Sequence, residues 1–253
     1  MARTRRRNQV VVISNAQYIE ATRSHVDRIG SLAAKNPTAH IDSCPTWNMT
    51  ELLWHMGEVL VFWKQVIDKK AMDTSVFEWV TRPDPARLQQ WYREGAGAAL
   101  DTLRSADPEM PCWTWTGPQN VAWIIRRMAH ESAVHMWDAC RAAGVEPVLQ
   151  PKLSSDGIDE FLHVMLPHAR EGQPIVGGSV HLHCTDVEGE WLVTPGDADI
   201  LTVTREHAKG SCAIRGTAND LNLLLWRRLS SFDVEVIGDA SVAERFLMRT
   251  SLD

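Results

Sequence analysis

A chain of 253 residues, 44% hydrophobic and 23% charged, has the makeup of a soluble globular protein and the length for one large domain or two ordinary ones. Its formal charge of -6 weighs against a nucleic-acid surface. The five cysteines form no C-x-x-C pair and the longest apolar runs carry His, Glu, Arg or Lys every turn or two, which excludes a thiolate metal knuckle, an extracellular disulfide framework and a membrane span.

The chain opens on Arg3, Arg5, Arg6 and Arg7, so residues 1–12 are expected to be a basic, disordered, solvated arm. Asn15, Gln17 and Glu20 interrupt the apolar run that follows, no export signal results, and a cytoplasmic location is expected. From Asn15 to Leu32 apolar residues recur at helical spacing until Pro37. Asn48 then caps a second amphipathic helix to about Asp68, with Glu51 placed for a capping box. A third helix is predicted from Pro85 to about Ser105, where the missing proline N–H costs little. The fourth follows Gly117-Pro118 and runs through VAWIIRRMAHESAVHMWDACRAAG to a glycine stop at Gly144. Together they predict a four-helix bundle over residues 13–145.

Residues 146–153 hold two prolines and read as a linker, followed by a helix from about Ser154 to Leu166. In SVHLHCTD, Val180, Leu182 and Cys184 alternate with His181, His183 and Thr185, the period of a half-buried strand. WLVT, DILTVTR and GSCAIRG are further strands, TANDLNLLLWRRL a helix, FDVEVIGD a short strand and ASVAERFLMRT a terminal helix. Residues 154–253 therefore predict a small α+β domain with helices covering an antiparallel or mixed sheet. No G-x-G-x-x-G lies between a strand and a helix and no phosphate-binding G-x-x-x-x-G-K-[ST] loop occurs. The eleven tryptophans are assigned to cores and pocket walls.

The strongest chemical signal is His55 on the second helix with Glu131 and His135 on the fourth. Four residues apart, Glu131 and His135 differ by about 40° of helix rotation and can face one ion. Three N/O ligands leave a fourth position open to a reacting group, as catalytic zinc sites do. His130-Glu131 begins H-E-x-x-x-H, not the protease H-E-x-x-H, because His130 and His135 diverge by about 140°. His130 is expected to support a ligand or lie on the helix surface. Asp138 and Glu58, one turn beyond His135 and His55, can each orient an imidazole through its second nitrogen or pair on the surface. Arg126 and Arg127 face either an anionic substrate or solvent. The competing reading of the triad itself is a core histidine plus a helix ion pair.

CPTWNMTELLWHMGEV, RRMAHESAVHMWDAC, SSDGIDEFLHVMLP, GTANDLNLLLWRRL and VIGDASVAERFL together resemble the mycothiol-dependent maleylpyruvate isomerase family, within the wider DinB-like metal-binding bundles. The resemblance implies a DinB-like four-helix bundle followed by a sterol-carrier-like α+β domain. It places His55, Glu131 and His135 as ligands of a divalent ion, most simply zinc, with mycothiol as thiol cosubstrate. It also implies a catalytic arginine from the second domain, with Arg227 and Arg228 as candidates; both equally suit a helix C-terminus. Met136 stands where relatives often carry Arg, and Thr46 where Gly is common in the Cys-Pro-x-Trp turn. The first departure shifts expectation from maleylpyruvate isomerisation toward S-transfer to another small electrophile. An apolar-metabolite carrier and a metal-dependent hydrolase are the readings from other classes. No nucleic-acid, membrane or obligate protein partner is expected.

Overall fold

The computed structural model describes residues 12–168, 174–197 and 200–250. Except for Val12, the basic arm lies outside the described residues. The chain divides into two compact units, Ile13–Val148 and the part from Leu149 onward.

The first unit is a four-helix bundle of α1 (Asn15–Lys35), α2 (Met49–Asp68), α3 (Pro85–Ser105) and α4 (Val121–Ala142). Their starts follow from local chemistry. Ser14 and Gln17 form a reciprocal capping box on α1, Asn48 accepts from the amides of Thr50 and Glu51, Pro85 opens α3, and Asn120 accepts from the Trp123 amide. The box expected at Asn48 is half made, because the Glu51 carboxylate pairs with Arg82 at 2.6 and 2.9 Å instead. After α4 the chain turns at Gly144, whose φ of 66° favours glycine. In α4, 16 of 22 residues are buried, so this helix is enclosed on most of its circumference and its polar side chains must find partners inside the protein. It packs on α1 and α2, while α3 packs on α2 and α1.

The second unit begins with α5 (Pro151–Glu160), three residues earlier than the expected Ser154 because Pro151 suits a first helical turn. The segment Phe161–Met165 continues as a π-helical turn. A five-stranded sheet follows, ordered β3-β2-β1-β4-β5, from β1 (Val180–Cys184), β2 (Glu190–Pro195), β3 (Leu201–Thr204), β4 (Cys212–Gly216) and β5 (Glu235–Gly238). β1 and β4 are parallel and the other pairs antiparallel. α6 (Ala218–Leu225) and α7 (Ala240–Arg249) pack on β1 and β4. The mixed sheet with helices is the α+β fold expected. Among the described residues no helix is long and apolar enough to cross a membrane.

The α1–α4 contact buries His25, whose Nδ1 lies 3.1 Å from the Ser132 hydroxyl. Burial, reinforced by the nearby charge of His130, lowers its pKa from 6.5 to about 4. The fold thus refuses a proton that the unfolded chain accepts, and stability rises with pH between those values. As pH falls from about 6.5 to 4, this group alone should remove about 3 kcal/mol of bundle stability, with no further loss below. Nine of the eleven tryptophans precede residue 149, so thermal melts followed by fluorescence report on the bundle. A His25→Gln variant should show a shallower fall in melting temperature between pH 6.5 and 4; equal slopes would refute the assignment.

Candidate metal centre

The side chains of His55, Glu131 and His135 converge, with one potential ligand atom from each lying within 4.8 Å of the other two. Glu131 Oε1 is 3.2 Å from His55 Nε2 and 3.3 Å from His135 Nε2. Its other oxygen, Oε2, accepts from Arg127 Nη2 at 2.6 Å, one turn earlier on α4. Burial opposes the charge on Glu131, but hydrogen bonds from His135 and His55, together with the Arg127 charge, hold its carboxyl well below the ordinary range.

His135 is fixed from behind. Its Nδ1 is 3.0 Å from Asp138 Oδ2, and Asp138 Oδ1 accepts from the Ser43 hydroxyl at 2.6 Å. Burial lowers the basicity of His135, yet its bonds to Asp138 and Glu131 prevail and raise its pKa to about 9. With Nδ1–H held by a carboxylate, a divalent ion would displace the proton that Nε2 directs at Glu131 and take that nitrogen as its donor, the arrangement that metal-binding imidazoles use. Two inward Nε2 atoms and one ionised carboxylate suit a divalent ion of the zinc type and leave its remaining position open.

The turn before α2 supports both rings. Cys44 to Trp47 closes through a 2.8 Å bond from the Trp47 amide to the Cys44 carbonyl. Trp47 lies 4.8 Å, ring centre to ring centre, from His55 and 6.0 Å from His135. Thr46 is exposed and has no positive φ, so this position makes no conformational demand for glycine. Ser43 and Trp47 were not singled out from the sequence. The Cys-Pro-x-Trp turn ahead of the helix that carries His55 was the available signal, but only the fold shows Trp47 beside two imidazoles and Ser43, just before the turn, bonded to Asp138.

A cavity of about 350 Å³ opens beside the cluster and is lined by His55, Glu131 and Arg127 together with Phe62, Trp63, Phe77 and Trp115. Glu58 lies on the same wall. Asp138 takes the orienting role considered for it, whereas His130 does not lie on the helix surface: it is 2% exposed and set edge-on to Tyr18 of α1. Arg127 is fully buried, so the reading of a solvated face fails for it. Met136 is buried beside Cys140, their sulfurs 3.5 Å apart. In the second unit, Arg227 sits beyond the end of α6 with φ 61° and donates to the Leu224 carbonyl and the Thr250 hydroxyl, while Arg228 donates to the Trp226 carbonyl.

The family model for the mycothiol maleylpyruvate isomerase N-terminal domain matches residues 19–140, and the C-terminal domain model of the same family matches residues 152–245. Two solved structures, the mycothiol-dependent maleylpyruvate isomerase and a mutant of it, superimpose on the chain. Each has a TM-score of 0.61 and 8% identity, covering 88% of this chain and 93% of the other. At that identity the likeness concerns the fold alone. No curated protein matches the sequence.

Removing the charge behind His135 should loosen the site without dismantling it. An Asp138→Asn variant is expected to keep its helical circular dichroism while binding divalent metal about 10–100-fold more weakly. Competition with a chromophoric chelator measures this, and unchanged affinity would remove Asp138 from the site.

Proposed function

Because the chain belongs to the mycothiol maleylpyruvate isomerase family, we propose that it isomerises a small cis-unsaturated oxo-acid of the maleylpyruvate class, with mycothiol as thiol cosubstrate. The observation that carries this reading is the convergence of His55, Glu131 and His135, the first two of them on the wall of a cavity in the matched bundle domain. In the reaction the thiolate sulfur bonds to one alkene carbon and the π electrons move into the conjugated carbonyl. Rotation about the new single bond follows. The C–S bond then breaks, releasing thiolate and the trans acid with no atom gained or lost.

A divalent ion, zinc by its ligand types, would be held by His55, Glu131 and His135 and would supply the Lewis acidity that keeps a thiol deprotonated near neutral pH. The residues of the chain do the rest. Glu131 contributes an ionised carboxylate, Asp138 holds the His135 ring, and Trp47 backs both imidazoles. Phe62, Phe77 and Trp115 give the cavity apolar walls that keep water from a bound nucleophile. Arg127, buried and paired with Glu131 at 2.6 Å, keeps that carboxylate ionised at the cavity wall. Arg227 and Arg228, the pair drawn from the resemblance, are proposed as the catalytic arginines of the second unit.

Isomerisation is preferred to S-transfer. The case for transfer rested on Met136 in place of an arginine, but Met136 is buried beside Cys140 and does not line the cavity, so its identity takes no charge from the cavity wall. Metal-loaded protein incubated with mycothiol and maleylpyruvate should yield a product of unchanged mass whose vinyl proton coupling has changed from cis to trans. His55→Ala should lower the rate by about 100-fold or more. A product retaining the mass of mycothiol would mean transfer, and turnover without thiol would mean hydrolysis; either defeats the proposal.

A further inference from the structure

The second unit holds another cluster of metal-binding side chains, none of it used above. His181 and His183 are two apart on β1 and therefore project from the same face of the sheet, opposite to Leu182. Glu190 opens β2 directly across from His183. His207 follows β3, the strand that pairs with the other side of β2. Three successive segments thus deliver three imidazoles and one carboxylate to one place.

The distances are short. Glu190 Oε1 lies 2.8 Å from His183 Nδ1, and Oε2 lies 2.7 Å from His207 Nδ1 and 3.7 Å from His181 Nε2. The ring centres of His181, His183 and His207 are 5.3 to 6.2 Å apart. One ligand atom from each of the four residues lies within 4.8 Å of all the others. His181 is 6% exposed, and its Nε2 is buried without a hydrogen-bond partner. A buried imidazole nitrogen left unsatisfied is costly, and the Glu190 carboxylate is already engaged by two other rings.

We propose that His181, His183, Glu190 and His207 form a second site for a divalent first-row transition metal of the zinc type. Three nitrogens and one oxygen complete a tetrahedral set, and imidazole donors favour zinc, cobalt, nickel or copper over magnesium or calcium. In a zinc tetrahedron with arms of about 2.0–2.1 Å, neighbouring ligand atoms are roughly 3.3 Å apart. One carboxylate oxygen, Oε2, already lies 2.7 Å from His207 Nδ1 and 3.7 Å from His181 Nε2, on either side of that length. Binding would replace the hydrogen bonds to Glu190 with bonds to the ion and give the orphaned His181 nitrogen a partner.

With four protein ligands the site would be closed, unlike the three-ligand cluster of the bundle, and its role would be structural. The ion would staple β1, β2 and the segment after β3, an edge strand of the sheet. His207, whose side chain is 76% exposed, provides the way in.

The test uses untagged full-length protein stripped with chelator, reloaded with Zn²⁺ or Co²⁺ and dialysed before elemental analysis. About two ions per chain are expected, falling to about one both in His135→Ala and in His207→Gln. In the His135→Ala background, Co²⁺ should still give the intense visible absorption of a tetrahedral site, and adding His207→Gln or Glu190→Gln should abolish it. His207→Gln alone should leave thiol-dependent turnover unchanged while lowering the Zn²⁺-dependent rise in melting temperature. A folded His135→Ala protein that binds no ion, or one whose remaining ion survives both second substitutions, overturns the proposal. One ion lost in His207→Gln but retained in His135→Ala would support this site and count against the bundle triad instead.

Discussion

An ionised carboxylate inside a helical bundle carries a desolvation cost of several kcal/mol unless charges and hydrogen bonds compensate it. Glu131 is such a group, and much of the bundle domain is organised around it. Arg127 must lie one turn back on α4 to reach Oε2, and α2 must pack on α4 to bring His55 to Oε1. His135 must follow one turn ahead, held in orientation by Asp138, which is held in turn by Ser43. These requirements couple the turn before α2 to the middle of α4. Replacing Glu131 by a neutral residue would therefore leave Arg127 buried with a lost partner, damaging the fold as well as the site.

The bundle was legible because its signals are local. Capping residues, prolines and 3.6-residue periodicity act within a few positions, and they located all four helices closely. Glu131 and His135 were legible as a pair because helix geometry alone puts them on one face. His55 was identifiable as a candidate from its apolar surroundings, but its convergence with the pair depends on how α2 packs on α4, which no local rule supplies. His130 shows a different limit: of the two places expected for it, the helix surface is excluded because α4 is enclosed so fully that His130 packs against Tyr18 of α1.

In the second domain the strand order was the missing information. The alternation in β1 assigned Val180, Leu182 and Cys184 to the core, and by default it made His181 and His183 the polar face. An H-x-H pair on a strand was the visible hint. Its meaning depends on Glu190 standing opposite His183 and on β3 running beside β2, and register and topology of this kind emerge only from the assembled sheet. Arg227 was likewise placed at a helix end, but its left-handed backbone and its bond to Thr250 come from the turn after α6 and the packing of α7.

The two clusters solve one electrostatic problem in different ways. Each sets imidazoles around a single carboxylate, but in the bundle a guanidinium occupies the second carboxylate oxygen, whereas in the sheet both oxygens face imidazoles. Arg127 thus limits how many histidines Glu131 can gather and leaves a three-donor set beside an apolar cavity, open to a ligand from outside. Glu190 gathers a third imidazole, and its donor set closes on itself. Openness to chemistry in the first domain follows from the charge that competes for Glu131; in the second, with no such competitor among the described contacts of Glu190, the same side-chain types are better suited to holding strands together.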